Sequence, residues 1–272
     1  MRTARKGVLL LALLAAGCHG PAPKRHSSLG RPKRIVSLAP SVTEMLYAVG
    51  AGDHVVGADD FSNYPPEAKR LARIGGLSVN NEAVLALRPD VVVGVADLQG
   101  ASLARLARLG QRTMAVDTAG YQKTIDAIRG LGSLGDPARA DAAAKRLEAA
   151  RAAARAAAPR RAPAVLCVAE ASPNLFVAGQ GTFQDDLLRL AGARNAAPIH
   201  GFAPLSRETL ARIQPDLALV ADEADAAAMR RRFAGRKLRI AVMPRDILVR
   251  PGPRLGEGLA WLSHAIQGTA KP

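Results

Sequence analysis

Two kinds of hydrophobic pattern alternate along this chain. Short, mostly apolar segments at residues 34–38, 55–57, 91–93 and 112–116 read as buried strands, being rich in β-branched residues and too short for helices. Between them, apolar residues recur at helical spacing over 42–49, 80–87, 101–109 and 121–131. Ser41 with Glu44 three positions on has the form of a capping box, and Glu44 is assigned to that role. The second half repeats the plan, with strand runs at 165–168, 174–177, 217–220 and 239–243 alternating with helical patterns at 183–190, 206–213, 222–233 and 253–267. The segments LALRPDVVVGVAD (85–97) and LARIQPDLALVADE (210–223) share a helix end, a Pro-Asp break, a buried strand and an acidic loop. Continuous apolar strands alternating with helices predict an α/β fold with parallel-type sheets, and two such units predict two lobes. Ligands of open parallel sheets bind beyond the carboxyl ends of the strands. A cleft between the lobes is therefore expected, walled by the loops after Leu38, Val56, Val93, Val177 and Met243.

Between the halves runs DPARADAAAKRLEAARAAARAAAP (136–159). Asp136 can accept a hydrogen bond from first-turn N–H groups, Pro137 suits the first helical position and Pro159 cannot continue the helix. Ala, the best helix former, dominates between them, and Asp141 with Lys145 forms a supporting i,i+4 pair. At about 1.5 Å per residue this is a rod of roughly 33 Å. Leu147 is its only large aliphatic, which makes it a poor core helix and leaves no seam for a coiled-coil arm. The chain is accordingly divided into a first lobe at 34–135, a connecting helix at 136–158 and a second lobe at 159–272.

Composition adds a compartment. Arg2, Arg5 and Lys6 precede an apolar run at 8–16 that is too short to span a bilayer and ends in small residues, the form of a secretory signal over 1–17. Ala15-Ala16-Gly17-Cys18 resembles a bacterial lipobox, in which Cys18 becomes the lipidated first residue, followed by a flexible Pro-, Lys-, Arg- and Ser-rich tether over 18–33. If Cys18 carries lipid, Cys167 stands alone in an apolar run, as a buried structural thiol. The formal charge is +15, but the basic residues are scattered and aromatics make up only 3%, which argues against nucleic acid as a partner.

No catalytic constellation assembles from the sequence. It contains no G-x-S-x-G, H-E-x-x-H, P-loop or complete G-x-G-x-x-G, and Gly179-Gln180-Gly181 reads as a tight turn. The five histidines are dispersed, with His200 in a presumed cleft loop as a solvated residue or an axial metal ligand.

RIVSLAPSVTEMLYAVGAGDHVVGADDFSNYPPEA (34–68), NEAVLALRPDVVVG (81–94) and PLSRETLARIQPDLALV (204–220) resemble, in order and spacing, the periplasmic cobalamin-binding proteins of bacterial ABC importers. More broadly they resemble a superfamily of helical-backbone metal receptors for cobalamin, haem and ferric siderophores. The resemblance covers about residues 34–266 and implies two α/β lobes joined by one rigid helix, a ligand held in the cleft, and delivery to a permease dimer with its ATPase subunits. It implies no catalysis and no resident cofactor. Carried over, the cobalamin cleft implies Tyr64, Pro65 and Pro66 from the first lobe, Phe176 and Phe202 from the second, and Asp246 with Arg250 from the final loop. Broad aromatic and polar loop groups suit a flat macrocycle with peripheral amides. By the residues alone, Phe176 and Phe202 fit the core equally well, and Tyr64 fits a stiffened loop.

Where the family places tryptophans, this chain has Val95 and Ala115, while Trp261 falls in the last helix as a core residue. Glu208 matches the family's permease-docking glutamate on the second lobe, and Asp97 is the nearest acid in the equivalent region of the first. The expected protein is a lipid-anchored substrate-binding lipoprotein on the periplasmic side of a bacterial inner membrane, carrying cobalamin or a related corrinoid. Haem is the alternative, with Tyr64 as the iron ligand; a ferric siderophore would draw on Arg245, Arg250 and Arg254; a periplasmic hydrolase is a remote third class. One continuous connecting helix also implies that ligand binding tilts the lobes only slightly.

Overall fold

The computed structural model describes residues 31–243, 246 and 250–268. The signal segment, Cys18, most of the tether and Arg245 lie outside the described residues. Among the described residues no helix is long and apolar enough to cross a membrane.

The first sheet is built from β1 (Ile35–Ser37), β2 (Val55–Ala58), β3 (Ala72–Arg73), β4 (Val91–Val95) and β5 (Thr113–Val116), in the order β3-β2-β1-β4-β5, with every pair parallel. Its crossovers carry α1 (Pro40–Ala48), α2 (Asn81–Ala86) and α3 (Ala96–Arg108), and α4 (Tyr121–Leu131) follows the last strand. After the rod α5 (Pro137–Ala156) come β6 (Ala164–Glu170), β7 (Phe176–Ala178), α6 (Phe183–Leu190), β8 (Arg194–Asn195), β9 (Phe202–Pro204), α7 (Arg207–Arg212), β10 (Leu217–Val220), α8 (Glu223–Arg232), β11 (Arg239–Val242) and α9 (Leu255–Gln267). The second sheet runs β11-β10-β6-β7-β9, with β8 pairing β6. It departs from the all-parallel expectation: β7 is antiparallel to both β6 and β9, because the short 171–175 connection returns the chain beside β6 without a crossover helix.

The repeated Pro-Asp break has a physical cause. Asp90 Oδ2 accepts hydrogen bonds from the backbone N–H groups of Lys33 (2.8 Å) and Arg34 (3.0 Å), and Asp216 Oδ2 accepts one from Ala164 (2.7 Å). In each lobe the aspartate ahead of one strand thus ties down the start of the central strand next to it.

Side-chain alternation sorts each sheet into an inner and an outer face. Val91, Val93 and Val95, together with Val165, Cys167, Leu217 and Leu219, join one apolar cluster that runs through both lobes. Their strand neighbours Val36 and Val92, or Ala218 and Val220, face two separate outer clusters. The rod lies in the shared cluster. Ala140, Ala143, Ala144, Leu147 and Ala154 are buried there, so α5 is a core helix despite its single large aliphatic. Small side chains let the neighbours approach closely: a Cβ on Gly256 of α9 would stand 3.2 Å from Ala150 Cβ and 3.3 Å from Leu147 Cδ2. The Tyr121 hydroxyl donates to the Leu147 carbonyl (2.7 Å), pinning α4 to mid-rod. Asp136 caps α5 as expected, accepting from the Ala138 N–H (2.8 Å), and 20 residues give the rod a length of roughly 30 Å.

Two local expectations need correction. α1 begins at Pro40 with Ala39 as its N-cap and no side-chain cap bond, so Ser41 and Glu44 form no capping box. The acidic loop expected after β4 is the first turn of α3, which starts at Ala96.

Candidate ligand-binding cleft

A cavity of about 510 Å³ opens where the carboxyl edges of the two sheets meet. Val95, Asp97 and Leu98 wall it from the end of β4 and the head of α3, and Thr118 and Ala119 from beyond β5. The second lobe contributes Cys167 to Ala169 of β6, Ala178, Gly181 to Gln184 at the head of α6, Gly201, Phe202 and Ala221, and Pro251 closes one side. Most of this surface is apolar. Leu98 is 77% exposed and Phe202 49%, unusually open for large hydrophobic side chains, and both face the cavity.

The turn before α6 is closed on itself. Gly181 takes φ +77, a left-handed conformation that suits glycine, and Thr182 caps the helix, accepting from the Asp185 N–H (3.2 Å) while donating to the Gly179 carbonyl (2.7 Å). Asp185 in turn accepts from the Gly181 N–H (3.2 Å). Cys167 lies on the cavity floor, where burial pushes its thiol up to about 12. It is a neutral wall there rather than a nucleophile or thiolate ligand. Among the described residues, no group of three or more His, Cys, Asp or Glu could hold a metal ion.

Beside the cavity stands a charged clasp. Glu44, on α1 and only 4% exposed, accepts from Arg254 Nε (2.9 Å) and Nη2 (2.6 Å) and more loosely from Arg250 Nη1 (3.4 Å). Arg250 also donates to Asn63 Oδ1 (2.7 Å) and the Phe61 carbonyl (3.1 Å), and pairs with Asp246 (3.0 Å). The Arg254 guanidinium sits 4.1 Å above the centre of the Tyr64 ring, and its hydrogen bond to Glu44 raises its pKa further. The loop bearing Tyr64 is itself anchored: Ser62 donates to Asp59 Oδ1, Thr43 Oγ1 lies 2.7 Å from Ser62 Oγ, and Arg73 donates to the carbonyls of Asp59 (2.8 Å) and Ser62 (2.9 Å). Burial raises the Asp59 carboxyl above its usual value, opposed by the hydrogen bonds from Ser62 and from the Phe61 N–H. A second contact between the lobes lies behind the cavity, where Asp186 of α6 accepts from the Tyr121 N–H (2.8 Å) at the head of α4.

The expected site residues thus fall into separate groups. Phe202 and Asp97 line the cavity. Tyr64, Asp246 and Arg250 belong to the clasp; Pro65 and Pro66 follow Tyr64, with Pro66 opening a 3-10 turn (Pro66–Arg70). Phe176 is half-buried in β7 opposite Pro204, and neither it nor exposed His200 is part of the cavity wall. Val95 lines the cavity, Ala115 does not, and Trp261 packs against the shared core. Glu208 is an exposed first-turn residue of α7, paired with Arg212 (2.6 Å). Its counterpart in the repeated plan is Glu82, in the first turn of the equally short α2. Each glutamate stands seven residues before the proline of its Pro-Asp break, a spacing already present in the sequence. Leu98 carries no motif in the sequence, and Glu44, assigned there to capping, finds its partners more than 200 positions away.

The family described as "Periplasmic binding protein" matches residues 35–241. The chain belongs to this family. The binding protein is 27% identical, over 95% of both chains, to an uncharacterized ABC transporter substrate-binding lipoprotein, YvrC, of Bacillus subtilis. It is 30% identical to the vitamin B12-binding protein of Pectobacterium atrosepticum, covering 82% of this chain and 85% of that one. A periplasmic haem-binding protein of Pseudomonas aeruginosa shares the fold with a TM-score of 0.76 and 34% identity, over 89% of this chain and 95% of that one. The binding protein is thus an ABC transporter substrate-binding protein, and the proteins it is similar to include ones that bind vitamin B12 and haem.

Proposed function

We propose that the binding protein captures a corrinoid, cobalamin or a close relative, and passes it to a membrane permease. The observation that carries this reading is the separation of Tyr64 from the cavity. The phenol that would ligate haem iron lies under Arg254, while the cavity presents an apolar wall with Leu98 and Phe202 at its opening. Such a wall suits the broad face of a macrocycle whose metal needs no protein ligand. The B12-binding relative, 30% identical over 82% of the chain, supports the same reading. Haem is the second reading, because Tyr64 is still 43% exposed and the solved haem-binding neighbour is 34% identical.

In this reading the chain has no catalytic role, no resident cofactor and no nucleic-acid partner, and Cys18 carries the lipid that tethers it to the periplasmic side of the inner membrane. Glu208 and its counterpart Glu82 present one acid from each lobe to basic residues of the permease dimer, whose ATPase subunits drive uptake; Asp97 belongs instead to the cavity. The test is retention after desalting of protein incubated with cyanocobalamin or with haemin. Corrin bands in the eluate are expected. A Soret band that disappears in Tyr64→Phe, with no corrin retained, replaces cobalamin with haem. Glu82→Lys with Glu208→Lys should spare ligand retention and abolish association with the permease.

A further inference from the structure

We propose that the mouth of the cavity sorts ligands by charge, with Asp97 as the specificity-determining residue, so that neutral or cationic metal chelates are favoured over those bearing rim carboxylates. This rests on the reading of the cavity as the ligand site. Among its described lining residues Asp97 is the only one charged at neutral pH; Thr118, Thr182 and Gln184 are neutral, and the Cys167 thiol stays protonated.

The described cations beside the cavity are already engaged. Arg250 and Arg254 flank Pro251 in the wall, yet the carboxylates of Glu44 and Asp246 bind both, leaving the four-membered clasp with no net charge. Lys123, which feels the charge of Asp97, is held 2.8 Å from Asp117. Asp97 itself has no ion-pair partner among the described residues. It stands in the first turn of α3 next to Leu98, whose exposed side chain marks where an apolar ligand face is received. A carboxylate on the rim of a ligand seated against Leu98 meets Asp97 and finds no free counter-ion among the described residues, whereas an amide or a cation is tolerated or attracted.

The measurement is equilibrium binding of a matched pair, cyanocobalamin and its e-monocarboxylic acid, which differ by one negative charge on the corrin rim. Wild-type protein at low ionic strength should bind the uncharged form roughly tenfold more tightly, a ratio that added salt compresses. Asp97→Asn should bring the ratio toward one, and Asp97→Lys should invert it, with circular dichroism confirming that both variants fold. A ratio that Asp97→Lys leaves unchanged overturns the proposal while the corrinoid reading stands. If wild-type protein holds neither corrin, the corrinoid reading falls. The same comparison then passes to haemin and its uncharged dimethyl ester, where equal binding, or a preference indifferent to Asp97→Lys, overturns the proposal.

Discussion

The cavity and the clasp are neighbours joined at Pro251, yet they use side chains in opposite ways. In the clasp every charge has a partner: Glu44 faces two guanidinium groups, Asp246 touches both, and the Tyr64 ring is covered by one of them. In the cavity wall the apolar side chains of Leu98 and Phe202 stand open and the carboxylate of Asp97 has no ion-pair partner among the described residues. Satisfied groups hold a structure together, and unsatisfied ones are available to a ligand. The difference teaches that a position carried over from a family, as Tyr64 and Arg250 were, does not by itself identify a binding surface; the state of a side chain's partners bears on it as well.

The sharpest way to break this contrast is Glu44→Ala. It leaves two arginines, one of them nearly buried, sharing the single carboxylate of Asp246. Removing one partner of a buried pair costs about 3–5 kcal/mol, and the partial exposure of Arg254 reduces the expected loss here to about 2–4 kcal/mol. Thermal unfolding reads it, and an unchanged Tm would show that the clasp holds nothing. Phe202→Ala should do the reverse, weakening ligand affinity about tenfold while moving stability by less than about 1 kcal/mol, since half the ring is already in water. Titration calorimetry and denaturant unfolding of the same preparation separate the two effects.

The smallest effect belongs to Cys167. A thiol whose folded pKa is about 12, against an ordinary 9.0, binds its proton more tightly in the folded chain than in the unfolded one. The stability this gives is complete below about pH 9 and declines as the pH rises from there toward 12. Cys167→Ser should flatten that alkaline decline, and a thiol reagent at pH 8 should label the native protein far more slowly than the unfolded chain. Rapid native labelling would place the thiol in an open, polar cavity instead.

Much of the fold was legible because its signals are local. The apolar runs became strands, the Asp136-Pro137 start became a capped helix, and the duplicated Pro-Asp break marked equivalent points in two lobes. The misses share a cause in distance. Ser-x-x-Glu at 41–44 matches a capping box by spacing, but Pro40 already begins the helix and the Glu44 carboxylate is drawn to arginines at the far end of the chain. β3, β8 and β9 are two or three residues long and owe their extended form to the strands beside them. Within the site, Phe202 was reached through the family resemblance and fits the core equally well by sequence alone, whereas Leu98 is one leucine among many until its exposure is known.

The apolar cluster that threads from β4 through α4, α5 and α9 to β6 and β10 belongs to neither lobe alone. Each half lends the other its inner lining, so the rod is a shared keel rather than a coupling between two vessels. A lobe weakened by mutation cannot melt by itself while its companion goes on capturing ligand. The two lobes should therefore unfold in a single transition, so that no half-folded carrier persists.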